Sequence, residues 1–148
     1  LLPVPAIVGK KSTREVLEED PIIERVLKLA TQADIVCFGM GGITHESVLL
    51  SSGYLDEADI DRLKDAGAVG DILGRFVDKD GRIVDTAIDD RTVGMRLELL
   101  KDKQWSIGVV AGEEKFKIAA SVLKAGYVTV IVTDEATARY ALGMGDDT

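Results

Sequence analysis

A chain of 148 residues, 46% hydrophobic and 30% charged, is long enough for one domain with its own core and has the balance of an ordinary globular protein. Its formal net charge of −8 argues against direct nucleic-acid binding, which needs a basic face to displace counterions. No apolar run approaches the roughly 20 residues of a transmembrane helix, and the single Cys37 excludes an intramolecular disulfide and fits a reducing cytoplasm.

The opening LLPVPAIVGKK lacks the basic region and small-residue cleavage site of a signal peptide, and no initiator Met precedes it, as expected of an excised fragment. Pro3 to Val8 reads as an edge strand or extended lead-in, because prolines are excluded from central strands. Ser12 to Glu15 has capping-box spacing. Asp20-Pro21 is a stronger helix start, with Asp as N-cap and Pro at the first helical position. The helix that follows carries Ile22, Ile23, Val26, Leu27 and Ala30 on one face. Asp34 to Phe38 reads as a buried strand that ends in the glycine-rich Gly39-Met40-Gly41-Gly42, followed by Thr44, His45, Glu46 and Ser47. Two readings stand for this stretch: a ligand loop after a strand, or a plain tight turn. The spacing lacks the third glycine of a dinucleotide fingerprint and the Gly-Lys-Ser/Thr of a P-loop.

Asp56 caps a short helix that ends at Gly67. Ala68 to Val77 reads as a bend entering a strand. Asp71 lies there between apolar neighbours, so its carboxylate either caps nearby N–H groups or faces a ligand. Asp78 to Gly81 is a turn signal that predicts a β-hairpin joining RFV to RIV. Asp89 to Met95 is read as another short strand, and Arg96 to Lys101 as one to two helical turns. Trp105 to Thr133 is the organising unit: an apolar run, a small-residue turn at Ala111-Gly112, about four amphipathic turns, and a second β-branched run. That pattern predicts a strand–helix–strand crossover. Free N–H groups at Gly112 and the ammonium of Lys115, placed in the first helical turn, would suit a phosphate or carboxylate. Asp134 or Thr133 caps a last short helix, and the tail GMGDDT is expected to fray.

Together these elements predict an α/β fold: a single domain over residues 1–148, with a mainly parallel sheet flanked by helices and a β-hairpin inserted on one side. Ligands in such folds bind beyond the carboxyl ends of the strands. Other chemistry has little support. The chain has one His, His45, and no G-x-S-x-G, which argues against a nucleophilic triad. One His and one Cys form no zinc set, and no cofactor motif is present. The pairs Glu113-Glu114 and Asp134-Glu135 sit at helix starts. There they serve the macrodipole or contact sugar hydroxyls.

Five stretches run in one order: LLPVPAIV, a G-x-G followed by SVLLSSGYL, AVGDILGRFVDKDGRIVD, SIGVVAGEEK and AGYVTVIVTDEATARYAL. In that order and spacing the chain resembles the effector domain of SorC-type (sugar-binding) bacterial transcription regulators. The resemblance implies a fold like that of the sugar-phosphate isomerase, deaminase and CoA-transferase group. It implies a phosphorylated sugar bound as effector rather than converted. It also implies a dimer or tetramer that meets DNA only through an N-terminal helix-turn-helix domain outside this chain. By position, Lys115 corresponds to the phosphate-side lysine and Asp71 to the acid that meets sugar hydroxyls, and Gly39, Gly41 and Gly112 match pocket loops. The family's paired glycines before the lysine are here Ala111-Gly112. Nothing matches the first part of the effector domain, so the chain corresponds to its later part. Two rival readings remain: an enzyme on sugar phosphates using Asp71 and Lys115, and an assembly module without ligand.

Overall fold

The computed structural model describes residues 1–44, 49 and 53–143. In chain order its elements are α1 (Lys11–Glu18), α2 (Pro21–Gln32), β1 (Ile35–Gly42), α3 (Glu57–Asp65), β2 (Gly70–Ile72), β3 (Arg75–Val77), α4 (Thr86–Asp89), β4 (Trp105–Val109), α5 (Phe116–Ala125), β5 (Val130–Val132) and α6 (Glu135–Ala141), with 3-10 turns at Leu97–Asp102 and Glu113–Lys115. The five strands form one sheet in the order β3-β2-β1-β4-β5. β1, β4 and β5 pair in parallel, whereas β2 runs antiparallel to both β1 and β3. Four strands therefore point one way, and β2 is the return arm of a hairpin. The mainly parallel α/β architecture expected from the sequence is the one found.

The core forms where α5 lies across the sheet. Ile118, Ala119 and Val122 of α5 pack on Phe38 and Met40 of β1, Ile72 of β2 and Val77 of β3, with Leu97, Leu100 and Tyr127 closing the margin. Full burial of such side chains stabilises by about 1.5–3 kcal/mol each. A second cluster joins Ile60 and Leu63 of α3 to Ile7, Phe76 and Ile88. Close approach depends on two glycines: a Cβ on Gly70 would lie 2.3 Å from the Gly41 carbonyl oxygen, and one on Gly108 would lie 2.3 Å from the Met40 methyl. No helix among the described residues is long and apolar enough to cross a membrane.

Several local expectations are corrected. The strand predicted to stop at Phe38 continues to Gly42. β4 and β2 both offer ladder partners to the glycines (Gly39↔Val109, Gly41↔Asp71, Gly42↔Gly70), and the Met40 side chain is buried in the core. Gly39 to Gly42 are thus strand, not loop. The hairpin turn lies at Leu73-Gly74, not at Asp78–Gly81. Both turn residues have positive φ, 54° and 77°, as a primed hairpin turn demands. The Asp78–Gly81 segment does reverse the chain, but only one bridge forms, Val77↔Ile83. The Asp78 carboxylate accepts from the backbone N–H groups of Asp80 and Arg82, at 2.8 and 2.9 Å. Asp85 then caps α4 and turns the chain away before a ladder can extend.

The expected N-terminal and flanking elements also shift. Asp20 caps α2 as expected, accepting from Ile22 N at 2.8 Å, but Ile22 itself is exposed. The capping box at Ser12 does not form, because α1 begins at Lys11, with Lys10 at its cap two residues ahead of Ser12. Pro3–Val8 and Asp89–Met95 make a single bridge, Ile7↔Thr92, in place of strands. His45, Glu46, Ser47, the Ser51-Ser52 break and the tail beyond Gly143 lie outside the described residues.

Candidate functional site

Three chain segments meet at the carboxyl end of β1. The register Gly41↔Asp71 sets the Asp71 side chain directly beside a residue with no Cβ of its own. A Cβ on Gly41 would stand 2.0 Å from Asp71 Oδ1, so the glycine makes the space that the carboxylate fills. The next residue performs the same service for the second segment. A Cβ on Gly42 would stand 2.8 Å from the Glu114 carbonyl oxygen and 3.8 Å from Lys115 Cγ. The glycine doublet thus seats an acid from β2 and a lysine from the Glu113–Lys115 turn at one strand end.

Their electrostatics are coupled. Burial pushes the Asp71 carboxyl above the ordinary carboxylate range; the Gly74 N–H donated to Oδ2 at 3.1 Å and the positive charge of Lys115 pull it part of the way back. Lys115 is half-buried, and among the described residues no ion pair holds its ammonium. The pair offers one charged triple donor and one acceptor, the complement of a phosphate and a hydroxyl. Nearby, at the end of β5, the buried Thr133 hydroxyl has no hydrogen-bond partner among the described residues.

The turn itself differs from the expected helix start. Residues 113–115 form a 3-10 turn and α5 begins only at Phe116, so Lys115 occupies the N-cap position and not the first helical turn. Gly112, at φ 104°, donates its N–H to Asp134 Oδ2 at 2.9 Å, so that N–H is already satisfied within the protein. The Glu114 carboxylate folds back over the turn, 2.8 Å from where a Gly112 Cβ would be, rather than outward. The φ of Gly112 and its missing side chain leave that space open.

The other candidates separate. Asp134 caps α6, accepting from Thr137 N and Thr137 Oγ1, both at 2.8 Å. Those bonds, with the Gly112 N–H, hold its carboxyl below the usual range. Glu135 is exposed and pairs with Arg139 at 2.9 Å. Gly39 lies inside β1 with nothing within 4 Å of its Cβ position. A cavity of about 650 Å³ adjoins the same turn, between Ile43, Ala68, Phe116 and Tyr140, and neither Asp71 nor Lys115 lines it. The rings of Phe116 and Tyr140 stack there with centroids 4.9 Å apart.

Sequence reasoning missed two positions. Gly42 was grouped with the glycine run but not singled out, although its place next to Gly41 was the available signal. Arg75 gave no signal at all. It is 1% exposed, pairs with Asp89 at 2.5 Å, and donates to the carbonyls of Met95 and Gly94, both at 3.1 Å. It fixes the loop behind the hairpin that carries Asp71.

Comparison with known proteins agrees with this architecture. The family model described as "Putative sugar-binding domain" matches residues 1–143. The deoxyribonucleoside regulator of Bacillus subtilis (strain 168) is 37% identical over 138 residues, which span 93% of this chain and 44% of the relative. The chain thus spans less than half of that relative's length. A DeoR family transcriptional regulator from Listeria monocytogenes superposes with a TM-score of 0.86 at 29% identity, over 95% of this chain and 57% of its own. A domain of a possible sugar-binding transcriptional regulator from Arthrobacter aurescens TC1 has a TM-score of 0.82 at 32% identity, over 94% of this chain and 53% of its own.

Proposed function

Because this chain belongs to the sugar-binding domain family of transcriptional regulators, the family its SorC-type motifs resemble, we propose that its ligand is a phosphorylated sugar. Lys115 holds the phosphate, and Asp71 accepts from a sugar hydroxyl. Gly41 and Gly42, facing opposite sides of the strand, leave the space that Asp71 and the Lys115 turn fill at its end. Asp134 positions the Gly112 turn, and Glu135 stays in solvent. The Glu114 carboxylate swings off Gly112 when the phosphate arrives, since like charges repel. Gly39 and Gly112 act only by shaping the strand and the turn.

The observation that supports this reading is that Asp71 and Lys115 flank the Gly41-Gly42 strand end, close enough for the charge of Lys115 to bear on the Asp71 carboxyl. A half-buried lysine outside any ion pair among the described residues, near a desolvated acid, is costly without a ligand, and such sites concentrate at functional positions. In the complete regulator, occupancy of the site modulates DNA binding by an N-terminal helix-turn-helix domain. This chain is the later part of the effector domain, and the assembly is a cytoplasmic dimer or tetramer. Among the described residues no His or Cys backs the acid and the lysine, which favours binding over turnover.

A thermal-shift screen of the native gene product against phosphorylated and unphosphorylated sugars tests the reading. A ligand that binds only the folded state raises Tm by mass action. One phosphosugar should do so where its unphosphorylated form does not. A flat response to every phosphosugar at millimolar concentration leaves the assembly-module reading in its place. Consumption of the phosphosugar would make the protein an enzyme.

A further inference from the structure

The Glu113–Lys115 turn is held at both ends, yet one of its side chains lies over the ground that a phosphate needs. The Glu114 carbonyl oxygen packs against β1, 2.8 Å from where a Cβ on Gly42 would stand. Gly112 donates its N–H to Asp134 Oδ2 at 2.9 Å, and its own carbonyl accepts from Lys115 N at 3.0 Å. The backbone of the turn is therefore fixed, and the freedom left to Glu114 is rotation of its side chain. That side chain folds back: both carboxylate oxygens lie 2.8 Å from the Cβ position of Gly112. Only a residue without a Cβ, here at φ 104°, admits a carboxylate in that place.

A carboxylate is favoured there for the same reason as a bound anion. The turn leads into α5, whose N-terminal end carries the positive pole of the backbone dipole, and Lys115 adds a full charge one residue on. Tethered to the turn, the Glu114 carboxylate acts at an effective concentration of about millimolar or higher. A second place is open to it. The cavity of about 650 Å³ beside the turn is lined by Glu114 as well, together with Lys117 three residues on. Lys117 is exposed and, among the described residues, forms no ion pair. Glu and Lys three apart on a helix lie on one face, so a side-chain rotation carries the carboxylate from Gly112 to Lys117.

We propose that Glu114 is an internal competitor for the anion at the Lys115 turn. It covers the turn in the unliganded protein, moves toward Lys117 when a phosphate binds, and so sets the ligand concentration to which the protein responds. This role rests on the phosphosugar reading above and adds to it the residue that tunes affinity. A phosphate displaces the carboxylate because it brings nearly two charges and three acceptor oxygens against a single charge. Every such ligand loses affinity in proportion to the fraction of protein in which Glu114 stands clear. Glu113 carries the same charge on the same turn. General repulsion would treat the two acids alike, whereas competition for one place singles out the acid whose carboxylate covers Gly112.

Thermal shift of the native gene product with inorganic phosphate and with phosphosugars, at constant ionic strength, separates these cases. Glu114→Gln keeps the size of the side chain and removes its charge. It should reach the wild-type rise in Tm at about tenfold lower ligand concentration, as for a wild type in which about a tenth of the molecules stand open. Glu113→Gln should change that concentration by less than about twofold, the scale of an exposed, screened charge. In Glu114→Gln/Lys115→Ala the gain should vanish, because the Lys115 ammonium holds the anion. Wild-type binding that Glu114→Gln leaves unchanged would overturn the competitor and leave the phosphosugar reading in place. An equal gain from Glu113→Gln would overturn it in favour of general repulsion. A gain that survives Lys115→Ala would overturn it too, since the anion is then held elsewhere. No rise in Tm for either wild type or Glu114→Gln with any of these ligands would remove the phosphosugar reading, and the competitor with it.

Discussion

Asp71 carries the tension of the candidate site in a single side chain. Its native carboxyl holds a proton more tightly than the unfolded chain does, because burial disfavours the charged form. Asp71 therefore costs the fold least below the ordinary value of 3.8 and most above its raised native value. Asp71→Asn, which keeps an acceptor for the Gly74 N–H, should stabilise the unliganded protein at pH 7. Urea midpoints of variant and wild type should converge as pH falls toward 3.8, and the variant should lose phosphosugar affinity even as it gains stability. Parallel midpoints across that range would mean that the carboxyl is solvated. Gly41→Ala tests the space beside it. The added Cβ would displace Oδ1, and overpacking of this kind costs about 1–3 kcal/mol of stability in a melt while also weakening binding. Asp71 was legible in the sequence as a carboxylate stranded among apolar residues. Its partnership with Gly41 was not, because only strand register brings positions thirty residues apart into contact.

The elements show where local signals succeed and where tertiary partners override them. Asp20-Pro21 and Asp56 mark their helix starts correctly, since a cap is a contact between residues two or three apart. The glycine run at 39–42 was read as a turn because glycine favours turns; two neighbouring strands draw it into the sheet instead. Leu73-Gly74 turns the hairpin with a leucine at φ 54°, a position that usually takes Asn or Gly, so the sequence pointed to the more conventional Asp78–Gly81. That segment is instead clamped onto α5 and the turn after it: Ser121 donates to the Asp78 carbonyl at 2.6 Å and Tyr127 to that of Gly81 at 2.8 Å. Behind the hairpin, Arg75 is the element-scale keystone. Arg75→Met should cost about 3–5 kcal/mol in chemical denaturation, because Asp89 and several carbonyls lose their buried partner. Arg75→Lys should recover little, since an ammonium cannot span the same fork of acceptors.

At the scale of the molecule, the class of fold was readable because its causes are repeated along the chain: apolar strand runs, an amphipathic crossover at 105–133, and caps between them. Beside the parallel unit, the antiparallel hairpin brings Asp71 to the strand end where the Lys115 turn arrives, so the candidate site lies at the carboxyl edge that α/β sheets use for ligands. The most direct test of phosphosugar binding there is calorimetric titration of the native gene product and its Lys115→Ala variant with a phosphosugar and its unphosphorylated counterpart. Wild type should prefer the phosphorylated form, and the variant should lose about 1.5–3 kcal/mol of that binding, the worth of a charge-assisted contact, while melting at nearly the same temperature. A Lys115→Ala protein that binds the phosphosugar as tightly as wild type would contradict the assignment.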